Sequence, residues 1–224
     1  MKKKRLAILL SGIAVIAAIG GTYAAFVASS NPITKDVTAP ELGISIEQSI
    51  DTSKLRTGSV EETEDGLIYS GGVPGAIVPE QVSIAASEKS TDCYVRVTVY
   101  RSWWSQDGTE KITDSELADP QEIDIKTTNE ADWIIQPAED DPEVIYFYYK
   151  KPLTKGMITS NLMDSFTVLE KSIAKDNNSY AGLGVHIEFE ADAIQKVAAE
   201  DAMLAEWGIE ASFSGDELVS FTEQ

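Results

Sequence analysis

Apolar and polar residues alternate with a period of two along much of this chain. Cys93-Tyr94-Val95-Arg96-Val97-Thr98-Val99-Tyr100-Arg101 puts Cys93, three valines and Arg101 on one face and Tyr94, Arg96, Thr98 and Tyr100 on the other, the spacing of a β-strand. Shorter runs predict further strands at 42–47, 76–84, 133–135, 144–150, 165–169 and 185–190. Pro79 interrupts the run 76–84, and because proline has no N–H to give to a ladder, that strand is expected at a sheet edge or bent there. Gln136-Pro137-Ala138-Glu139-Asp140-Asp141-Pro142 has the composition of a hairpin loop between its flanking strands. Asp51 to Asp65 reads as a loop ending near Leu67-Ile68-Tyr69, and the acidic, turn-rich stretch 105–132 as an excursion across the surface.

One helix is predicted, from about Ala193 to Trp207. Asp192 would cap it, Gln195 lies three residues on, and Gly208 would end it. Ile194, Val197, Leu204 and Trp207 would form its apolar stripe. Many strands with one late helix predict a mainly β fold, an antiparallel jelly roll or β-sandwich with the helix as an appendage. That domain is expected over 41–224, with helix 193–207 followed by an acidic tail.

The amino end follows another pattern. Lys2, Lys3, Lys4 and Arg5 precede an apolar run from Leu6 to Gly21, and Thr22-Tyr23-Ala24-Ala25-Phe26 follows it. Cationic start, apolar core and small-residue exit are the parts of a secretory signal peptide, here 1–25 with a signal helix. The core of about 16 residues is short for a membrane span of roughly 20. The mature protein is therefore expected to be secreted, outside the membrane. The cleavage region is Ala24, Ala25 and Phe26: Ala24 with Thr22 satisfies the small-residue rule. If the signal stays uncut, Leu6 to Gly21 is a membrane anchor instead. Residues 26–40 read as an extended arm whose apolar positions are Phe26, Ala28, Ile33 and Val37.

Charge narrows the partners. The full chain has 18 Lys+Arg against 37 Asp+Glu, and the signal holds four of the cations and none of the acids, so the mature charge is near −23. Such a polyanion repels phosphate backbones, and no nucleic-acid partner is expected. Cys93 is the only cysteine, so no intramolecular disulfide forms, and its place among alternating valines predicts a buried, inert thiol.

Chemistry of the catalytic kind has little to work with. A zincin needs two histidines one helical turn apart, whereas His186 is the only histidine, expected on a strand face turned to solvent. Nothing in their predicted faces brings Cys93 and His186 together as a dyad, and no G-x-S-x-G elbow exists. Gly71-Gly72-Val73-Pro74-Gly75 and Gly182-Leu183-Gly184 read as turns. Catalytic, cofactor and metal residues are thus expected to be none. The oxygen-rich loops Glu139-Asp140-Asp141 and Asp114 to Asp124 are candidates for a weak structural calcium site, with a solvated acidic face as the alternative. Trp103-Trp104 and Tyr146-Phe147-Tyr148-Tyr149 admit a sugar-stacking platform, or ordinary cross-strand packing.

The wording of several segments resembles one family. Gly20-Gly21-Thr22-Tyr23-Ala24-Ala25-Phe26 resembles the G-G-T-x-A-x-F ending of SipW-type signal peptides on TasA/camelysin proteins. Within the domain, Thr91-Asp92-Cys93-Tyr94-Val95-Arg96-Val97 resembles that family's turn into a Y-V-R-V strand. Trp133, Tyr146-Phe147-Tyr148-Tyr149-Lys150, Leu153-Thr154-Lys155-Gly156 and Leu162 to Phe166 follow its order, and Ile187 to Gln195 resembles its strand ending in A-x-A-I-Q. The stretch 105–132 has no counterpart in it. The resemblance implies a jelly-roll domain at the cell surface, a dedicated signal peptidase that cuts after Ala25, and self-association into biofilm matrix fibres, with or without an accessory matrix protein.

A sandwich with an open edge offers a physical route to such fibres: the arm, with Phe26, Ala28, Ile33 and Val37, inserts as a donated strand into the next subunit. It can equally fold back onto its own sheet or stay a tether. The alternative function is a monomeric surface module for a glycan or protein ligand. A metalloendopeptidase of the camelysin kind stands last, because the side chains it needs are missing.

Overall fold

The structure is a computed structural model. It describes residues 42–55, 57–63, 66–71, 75–113, 118–169 and 182–224, together with the strand pairing of 16–17, 24–29 and 37–38. Its strands in chain order are β1 Ile16–Ala17, β2 Ala24–Ser29, β3 Val37–Thr38, β4 Gly43–Ile50, β5 Ser59–Thr63, β6 Gly66–Ser70, β7 Ile77–Ala86 and β8 Cys93–Ser105. They continue with β9 Lys111–Ile112, β10 Ile123–Lys126, β11 Trp133–Pro137, β12 Val144–Tyr149, β13 Met163–Val168, β14 Leu183–Gln195, β15 Ile209–Ser214 and β16 Glu217–Glu223. One α-helix, α1 (Ala199–Trp207), is found among the described residues. The protein is mainly β and antiparallel.

The larger sheet runs β1-β2-β14-β8-β12-β11, with β6 also on β14, β5 on β6 and β9 on β8. The smaller runs β10-β13-β7-β4-β3, and β15 with β16 forms a separate hairpin. Alternation dictates what lies between the two sheets. Cys93, Val95, Val97 and Val99 of β8 and Val185, Ile187, Phe189, Ala191 and Ala193 of β14 share one core with Ile44, Val78, Val82, Ile84, Met163 and Phe166 of the smaller sheet. Burial of each such branched or aromatic side chain contributes about 1.5–3 kcal/mol.

Polar and aromatic residues on the other face of β8 are buried as well, because α1 and the β15–β16 hairpin cover that face. Tyr94, Tyr148 and Ile194 pack there with Ala202, Met203, Trp207, Ile209 and Leu218. Below this layer Arg96 sits directly opposite Asp192 across the β8–β14 ladder. Its Nε and Nη2 both donate to Asp192 Oδ2, at 3.0 and 2.6 Å. The guanidinium also lies 5.3 Å from the Tyr146 ring centre and 5.2 Å from that of Trp207. One arginine thus ties two strands and the covering helix together.

Several expectations are corrected. The helix begins at Ala199, not Ala193, because β14 keeps pairing with β8 as far as Gln195 opposite Cys93. Asp192 is spent on Arg96 and not on a cap; Ala198 precedes the helix at φ 60° with no side-chain cap. Its buried face is Ala199, Ala202, Met203 and Trp207, while Val197 and Leu204 are exposed and Ile194 belongs to the strand. Gly208 does end it, at φ 68°. The tail beyond is the β15–β16 hairpin.

Pro79 does not put its strand at an edge: β7 is central, between β13 and β4. It is tolerated because β7 bulges beside it, advancing three residues from Pro79 to Val82 while β13 advances two from Ser165 to Met163, which is the bend offered as the alternative to an edge, and because the pairing with β4 ends one residue away at Glu80. The excursion 105–132 supplies β9 and β10, and Ile123 is fully buried. The loop after Asp51 contains β5, paired with β6. Most of the expected signal helix lies outside the described residues; its Ile16 and Ala17 pair as a strand with Ala25 and Ala24, since an open strand edge templates the segment next to it.

Replacing Arg96 with Leu leaves Asp192, only 6% exposed, without its cation. We expect a loss of about 2–4 kcal/mol in denaturant unfolding, largely recovered when Asp192→Leu is added. A loss below about 0.5 kcal/mol would show that the pair is not structural.

Candidate assembly edge

β14 has two edges with different occupants. Along one, β8 pairs with all of it, from Leu183 opposite Ser105 to Gln195 opposite Cys93. The other edge is divided: β6 pairs with Gly184 to Ile187, and β2 with Glu190 to Ile194. Gly184 is what lets β6 come so near, because a Cβ there would lie 2.6 Å from Ile68 Cγ2. The β2 register sets Ser29 opposite Glu190, Ala28 opposite Ala191, Val27 opposite Asp192, Phe26 opposite Ala193 and Ala25 opposite Ile194. Positions 26 and 28 are thus paired with the fully buried Ala193 and Ala191.

The expected arm 26–40 is therefore shared between both sheets. Phe26 and Ala28 lie in β2 on the larger sheet, Val37 pairs with Ile44 on the smaller, and Ile33 is outside the described residues. This is the folded-back arrangement. The expected cleavage region, Ala24, Ala25 and Phe26, lies inside β2.

His186 corrects its expectation: it is 3% exposed, with its ring 5.3 Å from that of Trp104 and its backbone between Ile68 of β6 and Ser102 of β8. The outward face of a strand flanked on both sides by other strands is not an open face. Since His186 pairs with Ser102, nine residues along β8 from Cys93, the two are about 30 Å apart. They also face opposite sides of the sheet, and no dyad forms. Cys93 is fully buried, and burial pushes its thiol up to about 12.

Among the described residues no group of three or more His, Cys, Asp or Glu is placed to hold a metal ion. In the loops considered for calcium, the Asp141 carboxylate accepts from Glu143 N, that of Asp119 accepts from Gln121 N, and Asp124 pairs with Lys126; residues 114–117 are outside the described residues. The aromatic clusters are largely packed: Trp103 donates its indole N–H to Asp119 O, and Phe147 and Tyr148 are buried. Only Trp104, Tyr146 and Tyr149 keep partial exposure. A shallow depression of about 280 Å³ lies beside Tyr94, Ala198 and Phe213, where Lys196 is already paired with Asp216.

One group was overlooked in the sequence. Glu80 is 2% exposed in the core of the sandwich, and its Oε1 accepts from Gln48 Nε2 at 2.6 Å. Desolvation pushes its carboxyl up to about 7, with the Gln48 hydrogen bond acting in the opposite direction. The signal was there to find: Val78, Glu80, Val82, Ile84 and Ala86 form one core stripe with an acid in it.

Comparison with family models, curated protein sequences and solved structures gives no match.

Cys93 should resist alkylation at about pH 8 in the folded protein and react fully in denaturant, as thiol titration will show. Prompt reaction of the native protein would mean that the core opens at β8.

Proposed function

We propose that this chain is an exported, non-enzymatic structural subunit of the bacterial cell surface, and that it builds extracellular matrix fibres by passing its amino-terminal strand to a neighbour. The observation that carries the proposal is the position of β2 on the divided edge of β14. A strand held there by backbone pairing can be replaced by the same strand from another copy, in the same register and with the same hydrogen bonds. Removing residues 1–25 frees the first end of that strand. Exchange is then close to neutral in pairing energy, so high local concentration, as at a cell surface, favours the assembled form. The resemblance to TasA/camelysin proteins supports the same function, along with the dedicated peptidase it implies, with or without an accessory matrix protein.

The shortage of catalytic side chains supports a non-enzymatic role. The high negative charge makes assembly dependent on salt, because subunits near −23 repel one another until the charge is screened.

Negative-stain electron microscopy of the concentrated exported protein should show ordered filaments, more readily at high salt than at low. Deleting residues 26–38 should leave monomers. Undiminished filaments from the deleted chain would refute strand donation; an intact protein that stays monomeric at every salt and protein concentration would favour the monomeric surface module.

A further inference from the structure

The β5–β6 hairpin occupies the remaining half of the β14 edge, and the group beneath it is Glu80. A small cavity there, large enough for about one water, is lined by Glu80, Val60 of β5, Leu67 and Tyr69 of β6, Phe166 of β13 and Val185 of β14. The walls are otherwise aliphatic, with Ile50, Val78 and Ile187 completing them. Tyr69 is the only other titratable side chain in the lining, and its hydroxyl donates to Thr57 O at 2.7 Å. Glu47 of β4 and Glu61 of β5 are exposed to solvent. Gln48 of β4 faces the carboxyl and is neutral. Among the described residues no cation therefore meets Glu80 from the strands packed around it.

We propose that Glu80 is a proton-operated latch: its neutral form lets the β5–β6 hairpin close over the end of the core, and its ionisation releases the hairpin and opens Gly184 to Ile187 of β14 to pairing by an extended segment. The latch stands on the cavity alone, whereas the use of the freed edge rests on the strand-exchange function above. The hairpin is the element that can yield, since it reaches the rest of the sheet only through β6 on β14. β7, which carries Glu80, is held between two strands.

The direction follows from the shift. The carboxyl moves from an ordinary 4.5 to about 7, so the closed form is favoured in acid, loses ground between those values, and levels off above pH 7. If opening hydrates the carboxylate fully, the opening constant rises roughly thirtyfold between about pH 5.5 and 8.5.

Hydrogen exchange by mass spectrometry will test this on the full chain, expressed with its own leader and purified in the form the cell leaves it. After correction for intrinsic exchange rates, amides of 66–70 and those of 184–187 that point toward β6 should exchange about thirtyfold faster at the higher pH, with 93–99 unchanged. Glu80→Gln should abolish the difference. Gln48→Met, which removes the donor that favours ionisation, should move the midpoint to higher pH. The latch is overturned if Glu80→Gln keeps the wild-type pH dependence, if the midpoint of Gln48→Met does not move, or if the wild type shows no local change. These readouts do not depend on filaments, so their failure is separate from failure of strand exchange.

Discussion

The thirteen-residue ladder between β8 and β14 is the constraint on which the remainder of the molecule depends. It fixes in register two long strands that alternate in phase, so that Cys93, Val95, Val97 and Val99 lie on the same face as Val185, Ile187, Phe189, Ala191 and Ala193. A slip of one residue would turn one of these sets outward against the other, which is why one long pairing specifies the fold more firmly than several short ones. The same register brings Arg96 opposite Asp192. That pair, closed over by Tyr146 and Trp207, holds the covering helix to the sheet.

From this follows an asymmetry between the two long strands. β8 is enclosed between β14 and β12, but β14 has its second edge served by two short partners, neither of which spans it. Main-chain donors and acceptors must be paired somewhere, and short pairings are the easiest to exchange. Both occupants come from the amino-terminal third of the chain, and one of them begins inside the expected cleavage region.

Much of the strand pattern could be read from the residues, and the exceptions have physical causes. Alternation identified β8 and the β11–β12 hairpin because each has a continuous apolar face. The start of α1 was misplaced since Asp192 and Gln195 satisfy a capping pattern locally, while the partner that holds Asp192 in a strand, Arg96, is 96 residues away. Pro79 pointed to an edge or a bend, and the second is what is found: the extra residue lies in β7 itself, between Pro79 and Val82, while the strand stays central. His186 was judged by its own strand, although its burial comes from β6, β8 and Trp104. Glu80 was legible as an acid in a core stripe, yet a glutamate among strands suggests an outward face until the stripe is counted.

Engineered cysteines at Ser29 and Glu190, which face each other in the β2–β14 register, test the central claim directly, since the native Cys93 is buried and out of reach. Oxidation should give an intramolecular disulfide in dilute monomer and a covalent ladder of subunits after assembly. Failure to cross-link in either state would contradict the assignment of this edge; intramolecular bonds that persist in assembled material would contradict exchange of the strand.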